Sequence, residues 1–162
     1  MAKSDPQKER ADIAEIREMV RTKTGGAHFY AALLGMRSFE TRSLLEKVEL
    51  GFPFKTFERL RQNLGLQTIE LADLVQIRER TLARRRESGR LTADESDRLV
   101  RVSRVYGKAL ALFDGDLKAT STWFSTPALA LANRTPQEVS NSDLGAREVE
   151  NLIGRLEHGV FS

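Results

Sequence analysis

A chain of 162 residues has room for one domain or two small ones, and 40% hydrophobic with 30% charged residues is the composition of an ordinary folded protein. There is no cysteine, which removes disulfides, thiolate metal sites and thiol nucleophiles together. The net charge is only +3, yet Arg78 to Arg90 carries six arginines against two glutamates, so the basic character is one local patch and the remainder sums to −1.

The first 23 residues alternate charges without an apolar centre, so no signal peptide is expected. The longest apolar runs, such as Ala27 to Met36, fall well short of the roughly 20 residues a membrane span requires. A cytoplasmic location without membrane contact is the resulting expectation. Gln7 to Arg21 carries a thin stripe of Ile13, Ile16 and Val20 amid dense charge, and is read as a helix that orders only against a partner. Phe29 to Met36 and Thr41 to Leu50 are two short apolar-faced segments, the second stopped by Gly51. Phe54 to Leu64 is a clean amphipathic helix: Phe57, Leu60 and Leu64 share one face, charge lies opposite, and Gly65 ends it.

Ile69, Leu71, Ala72, Val75, Ile77 and Leu82 then fall at the internal apolar positions of a helix-turn-helix, with Ala72 small enough for close helix crossing. Gln76 stands at the ninth position of the motif, where a sharp turn favours glycine, and this predicts a departure from the standard turn. The second helix of the pair carries Arg78, Arg80, Thr81, Arg84, Arg85 and Arg86, the side chains a major-groove helix uses for bases and phosphates. These six are the candidate DNA contacts. Arg98, Arg101, Arg104 and Lys108, at spacings of 3, 3 and 4, add a basic stripe on the next helix that supports the same DNA contact.

Thr92 and Glu95 form a capping box that opens a long helix to Phe113, with Leu99, Val102, Tyr106, Ala109, Leu110 and Phe113 facing a core. Asp114-Gly115-Asp116 is a turn; the later acidic ligands of a calcium loop are missing. Thr126-Pro127 and Thr135-Pro136-Gln137-Glu138 predict two helix starts with proline at the first position, the second again a capping box. A last helix, Leu144 to Glu157, gathers Val149, Leu152, Ile153 and Leu156 and stops at Gly159. No hairpin signal or alternating strand pattern occurs, so the fold class is all-α. His28 and His158 lack carboxylate neighbours at ligand spacing, and Gly25-Gly26 lacks the frame of a phosphate loop. Neither an enzyme nor a cofactor or metal site is expected.

The string Thr81-Leu82-Ala83-Arg84-Arg85-Arg86, followed by Gly89-Arg90-Leu91-Thr92, Glu95-Ser96 and Arg98-Leu99-Val100-Arg101, resembles the Xre/MbcA/ParS-type antitoxins. The resemblance continues through Ala109, Phe113, Gly115, Trp123-Phe124, Pro127, Leu131, Pro136, Gly145, Val149, Leu152, Gly159 and Val160. It departs at Thr120-Ser121-Thr122, at Phe124 and at Ala130-Leu131-Ala132-Asn133. It implies a helical arm over residues 1–43, a helix-turn-helix DNA-binding domain over 44–104 and a small helical toxin-binding domain over 105–162. It further implies a chain that binds its own promoter DNA and neutralises a cognate RES-domain, NAD-consuming toxin by covering the toxin's active site; a homodimer is expected because one helix-turn-helix covers only a half-site. The toxin-binding candidates are Trp123, Phe124, Arg155, Val160, Phe161 and Ser162, with Phe161 as an apolar anchor beside the terminal carboxylate. Two readings stay open within that set: Trp123 also suits a core position, and Val160 suits a cap folded back on its own helix. The alternative to an antitoxin is a stand-alone repressor with a C-terminal dimerisation or ligand domain.

Overall fold

Helices α1 (Pro6–Thr22), α2 (Thr41–Leu50), α3 (Phe54–Leu64), α4 (Thr68–Leu74), α5 (Glu79–Ser88), α6 (Ala93–Leu112), α7 (Leu117–Phe124), α8 (Pro136–Val139) and α9 (Asp143–Glu157) make up the computed structural model, which describes residues 6–159. Two 3₁₀ segments, Gly26–Leu34 and Leu129–Leu131, complete it. The all-α expectation holds, and among the described residues only two isolated bridges interrupt it.

α6 is the axis of the molecule. Its reciprocal Thr92–Glu95 box is present, with Glu95 N donating to Thr92 Oγ1 at 3.2 Å and Thr92 N to the Glu95 carboxylate at 2.8 Å. Leu99, Val102, Val105, Tyr106, Ala109 and Leu110 are buried along it. The Gly26–Leu34 segment packs across one side of α6 and α9 across another. Gly107 makes the first crossing feasible, since a Cβ there would stand 2.6 Å from the Tyr30 Cβ.

The amino-terminal arm corrects one expectation. α1 does not wait for another molecule: Ile13, Ile16 and Met19 are buried against the Gly26–Leu34 segment and α3. A buried polar knot fixes the contact. Arg59 of α3 donates to the Asp12 carboxylate, one bond at 2.7 Å, and Asn63 Nδ2 donates to both Asp12 Oδ2 and the Leu33 carbonyl at 2.9 Å. Arg17 Nε reaches the Gly115 carbonyl at 2.8 Å, which ties α1 to the turn after α6. The stripe of apolar residues looked thin because charge surrounds it, but three-residue spacing is enough to line one face.

Gly51 separates α2 from α3 with φ +79°, and a Cβ there would collide with the Leu91 carbonyl. The close approach lets Leu91 N donate to the Phe52 carbonyl at 2.9 Å and Phe52 N to Ser96 Oγ at 2.7 Å. The start of α3 is thereby joined to the strip between α5 and α6.

Beyond α6, Asp116 Oδ1 caps α7 by accepting from Ala119 N at 3.0 Å. Thr126-Pro127 does not open a helix as expected. Ala128 is extended (φ −113°, ψ 132°) and pairs with Arg134, while Ala132 and Asn133 both take positive φ, 55° and 60°. Two successive left-handed residues reverse the chain into a small closed loop with length only for the 3₁₀ turn Leu129–Leu131. Thr135–Glu138 does form its capping box at α8, and Ser142 Oγ caps α9 through Gly145 N at 3.1 Å.

Candidate functional site

α4 and α5 form the helix-turn-helix unit. Leu71, Ala72, Val75, Ile77 and Leu82 are buried as that motif requires. Ile69 is not: it is 62% exposed. It stands two residues, or about 200° of helix, from Leu71, so it cannot share the inward face. Gln76 takes φ +53°, the left-handed conformation a glycine would have supplied. The expected departure from the standard turn is therefore absent; a non-glycine residue adopts the standard geometry. Ile77 N closes the turn by donating to the Ala72 carbonyl at 2.9 Å.

The structure divides the arginines of this unit into three kinds. At about 100° per residue, Arg80 and Arg84 fall opposite the buried Leu82, and both are exposed. With the exposed Arg78, they form no side-chain hydrogen bond or ion pair among the described residues. Thr81 is half-buried beside them. Arg85 belongs to the frame, because its Nε donates to Glu95 at 2.8 and 3.0 Å. Burial alone would raise the Glu95 carboxyl, but hydrogen bonds from Arg85 and Thr92 and the Arg85 charge outweigh it and hold it below the usual value. Arg86 turns to the other flank, with its guanidinium 5.3 Å from the Phe54 ring centroid and 3.6 Å from Glu58.

The basic stripe on α6 is engaged by other parts of the chain: Arg101 is buried, and Arg98, Arg104 and Lys108 are half-buried. Arg98 Nη1 donates to the Val75 and Gln76 carbonyls at 2.9 and 3.1 Å. Arg104 Nε and Lys108 Nζ both bind Glu150 of α9, at 2.8 and 2.6 Å. Arg101 is 9% exposed and approaches the Asn141 carbonyl at 3.5 Å. Burial pulls its guanidinium below the ordinary value; Asp143 and Asp97 oppose that shift, and Arg98 and Arg104 add to it. The spacing that suggested a DNA-facing stripe is also the spacing that docks α9 and the helix-turn-helix turn on one helix.

On the carboxy-terminal side, Trp123 is half-buried and lines a surface groove of about 510 Å³ with Phe113, Asp116, Lys118, Ala119 and Thr122. Phe124, grouped with it as a partner contact, is 1% exposed and stacks on Tyr106 with centroids 3.9 Å apart. Its ring is core, because consecutive residues on α7 point about 100° apart and only one can face outward. Arg155 is half-buried on α9. Val160, Phe161 and Ser162 lie outside the described residues. Sequence reasoning missed Leu129 and Leu144, which are 84% and 73% exposed. Leu129 sits in a short apolar run with no period to mark its outward side, and Leu144 served only as a helix start. Among the described residues, no helix is long and apolar enough to cross a membrane.

Comparison with known proteins divides the chain in the same way. Residues 43–104 match the family model for the antitoxin Xre-like helix-turn-helix domain. Residues 108–159 match that for the antitoxin Xre/MbcA/ParS C-terminal toxin-binding domain. Among curated proteins, the chain is similar to Antitoxin Xre of Yersinia enterocolitica, with 37% identity over 80% of this chain and 88% of that protein. It is 43% identical to Antitoxin Xre of Photorhabdus laumondii over 46% of this chain and 50% of that one. Antitoxin Xre of Pseudomonas putida is 27% identical over 96% of this chain and 97% of its own length.

Proposed function

The chain belongs to the Xre family of type II antitoxins, toxin-binding regulators rather than enzymes, and we propose that it neutralises a RES-type, NAD-consuming toxin by covering the active site and binds its own promoter to autoregulate transcription. The observation that carries the DNA half of this reading is the pair Arg80 and Arg84 on the outer face of α5, with no partner among the described residues. Charged side chains held on a rigid helix without internal partners are suited to phosphates and guanine edges. One helix-turn-helix covers only a half-site, so promoter binding calls for a homodimer on a two-fold-related operator in the cytoplasm.

The toxin half of the proposal is supported by apolar surface on the toxin-binding domain. The half-buried Trp123 with its groove and the exposed Leu129 and Leu144 offer apolar contact area. Arg155 on α9 and the Val160-Phe161-Ser162 end are assigned to the same contact, with Phe161 entering the toxin's pocket. Burying one phenylalanine contributes on the order of 1.5–3 kcal/mol, one to two decades of affinity.

Co-expression with the product of the neighbouring gene, with cellular NAD as the readout, tests this. The intact chain should preserve NAD and co-purify with that product, and a chain lacking Val160 to Ser162 should protect less while still binding the promoter. Full protection by the truncated chain would move the contact to Trp123, Leu129 and Leu144. Neither protection nor co-purification by the intact chain would leave the stand-alone repressor in its place.

A further inference from the structure

The turn between α4 and α5 sets the angle at which α5 leaves the body, and Gln76 is its least comfortable residue. A side chain at φ +53° is disfavoured relative to glycine. The two carbonyls around it, those of Val75 and Gln76, lie at the carboxy-terminal end of α4, where helix acceptors are unpaired and the dipole is negative. A single cation from a different helix answers both: Arg98 Nη1 at 2.9 and 3.1 Å. Arg98 lies one turn of α6 beyond Glu95, which holds the other end of α5 through Arg85. The helix that presents Arg80 and Arg84 is thus held on α6 at its entry and near its exit.

We propose that Arg98 is a positioning residue for DNA recognition: it clamps the left-handed Gln76 turn and so fixes the orientation of α5, without touching nucleic acid itself. This inference rests on the DNA-binding reading above. It makes an unfavourable residue workable at the turn, and it predicts that the need for Arg98 depends on what stands at position 76. With glycine there, positive φ carries no side-chain penalty and the turn holds without an external donor. A phosphate-contacting arginine would show no such dependence.

The test is a double-mutant cycle of Arg98→Met and Gln76→Gly in the full chain. It is read by melting temperature and by affinity for a labelled duplex spanning the region upstream of the chain's own gene. Arg98→Met is expected to weaken duplex binding about tenfold and to lower the melting temperature by about 3–6 °C. Its slope of log affinity against log salt should equal that of the native chain, because no phosphate contact is lost. Gln76→Gly should restore most of both quantities to Arg98→Met while adding much less to the native chain. A salt slope shallower by about one unit would make Arg98 a phosphate contact and overturn the proposal. So would strictly additive effects of the two substitutions, or native binding by Arg98→Met. If the native chain fails to bind the duplex, the DNA reading falls, and the melting temperatures still decide the clamp: a larger gain from Gln76→Gly in the Arg98→Met background than in the native chain sustains it, and additivity refutes it.

Discussion

α5 carries four arginines in ten residues and its neighbour α6 three in twenty, and the two helices use them differently. On α5, Arg80 and Arg84 project away from the body with no partner among the described residues. On α6, Arg98, Arg101 and Arg104 all turn toward other elements, onto the Val75 and Gln76 carbonyls, the Asn141 carbonyl and Glu150. The difference comes from what lies around each helix. α5 is covered on one side only, where Leu82 enters the core. α6 is surrounded, and a cation on a surrounded helix must find acceptors or incur the cost of an unpaired buried charge. A cluster of arginines therefore says little until its partners are known; those left without partners are the ones available to another molecule.

The comparison is most easily broken by removing the α5 arginines. Arg80→Ala with Arg84→Ala is expected to cost two to four decades of promoter affinity, at about 1–3 kcal/mol for each base-reading arginine, with unchanged helicity by circular dichroism. Equal affinity in a gel-shift titration would return these residues to the class of solvated surface charge.

A similar contrast runs through α7. Phe124→Ala should lose about 3–5 kcal/mol of folding stability through the cavity left against Tyr106. Trp123→Ala should lose far less stability and instead weaken toxin binding. Urea titration together with co-purification separates the two, and an equal stability loss at both positions would make Trp123 a core residue.

Glu95→Gln probes the frame beneath α5. It should cost about 2–3 kcal/mol at neutral pH by weakening the bonds from Arg85 and Thr92. The carboxyl is held below its ordinary 4.5 in the folded chain. Its contribution is therefore fully present above that pH and disappears as pH falls through the lower folded value. Stability curves of native and Glu95→Gln proteins should accordingly converge in acid, and a gap that persists unchanged there would assign the loss to packing. The smallest effect is expected at Ile69. Exposed on α4, it should tolerate Ile69→Thr within about 0.5 kcal/mol in thermal unfolding, whereas an internal motif position would lose several times more.

Much of this molecule was legible in the sequence. The limits of α2 and α3, the Thr92 and Thr135 capping boxes and the glycine stops are local features, decided by side chains within a few residues of the backbone groups they satisfy. The helix-turn-helix spacing and the all-α class follow from hydrophobic period, which survives without knowledge of the partner surface. Tertiary structure decided what depends on residues far apart in the chain. Asp12 meets Arg59 and Asn63, so the arm has its partner within the chain. Glu150 collects Arg104 and Lys108, and Arg98 finds the Gln76 turn, so a stripe that resembles a DNA surface is structural. Period shows that one side of a helix is apolar; only the neighbouring elements determine which charges beside that face are sealed under it and which remain in water.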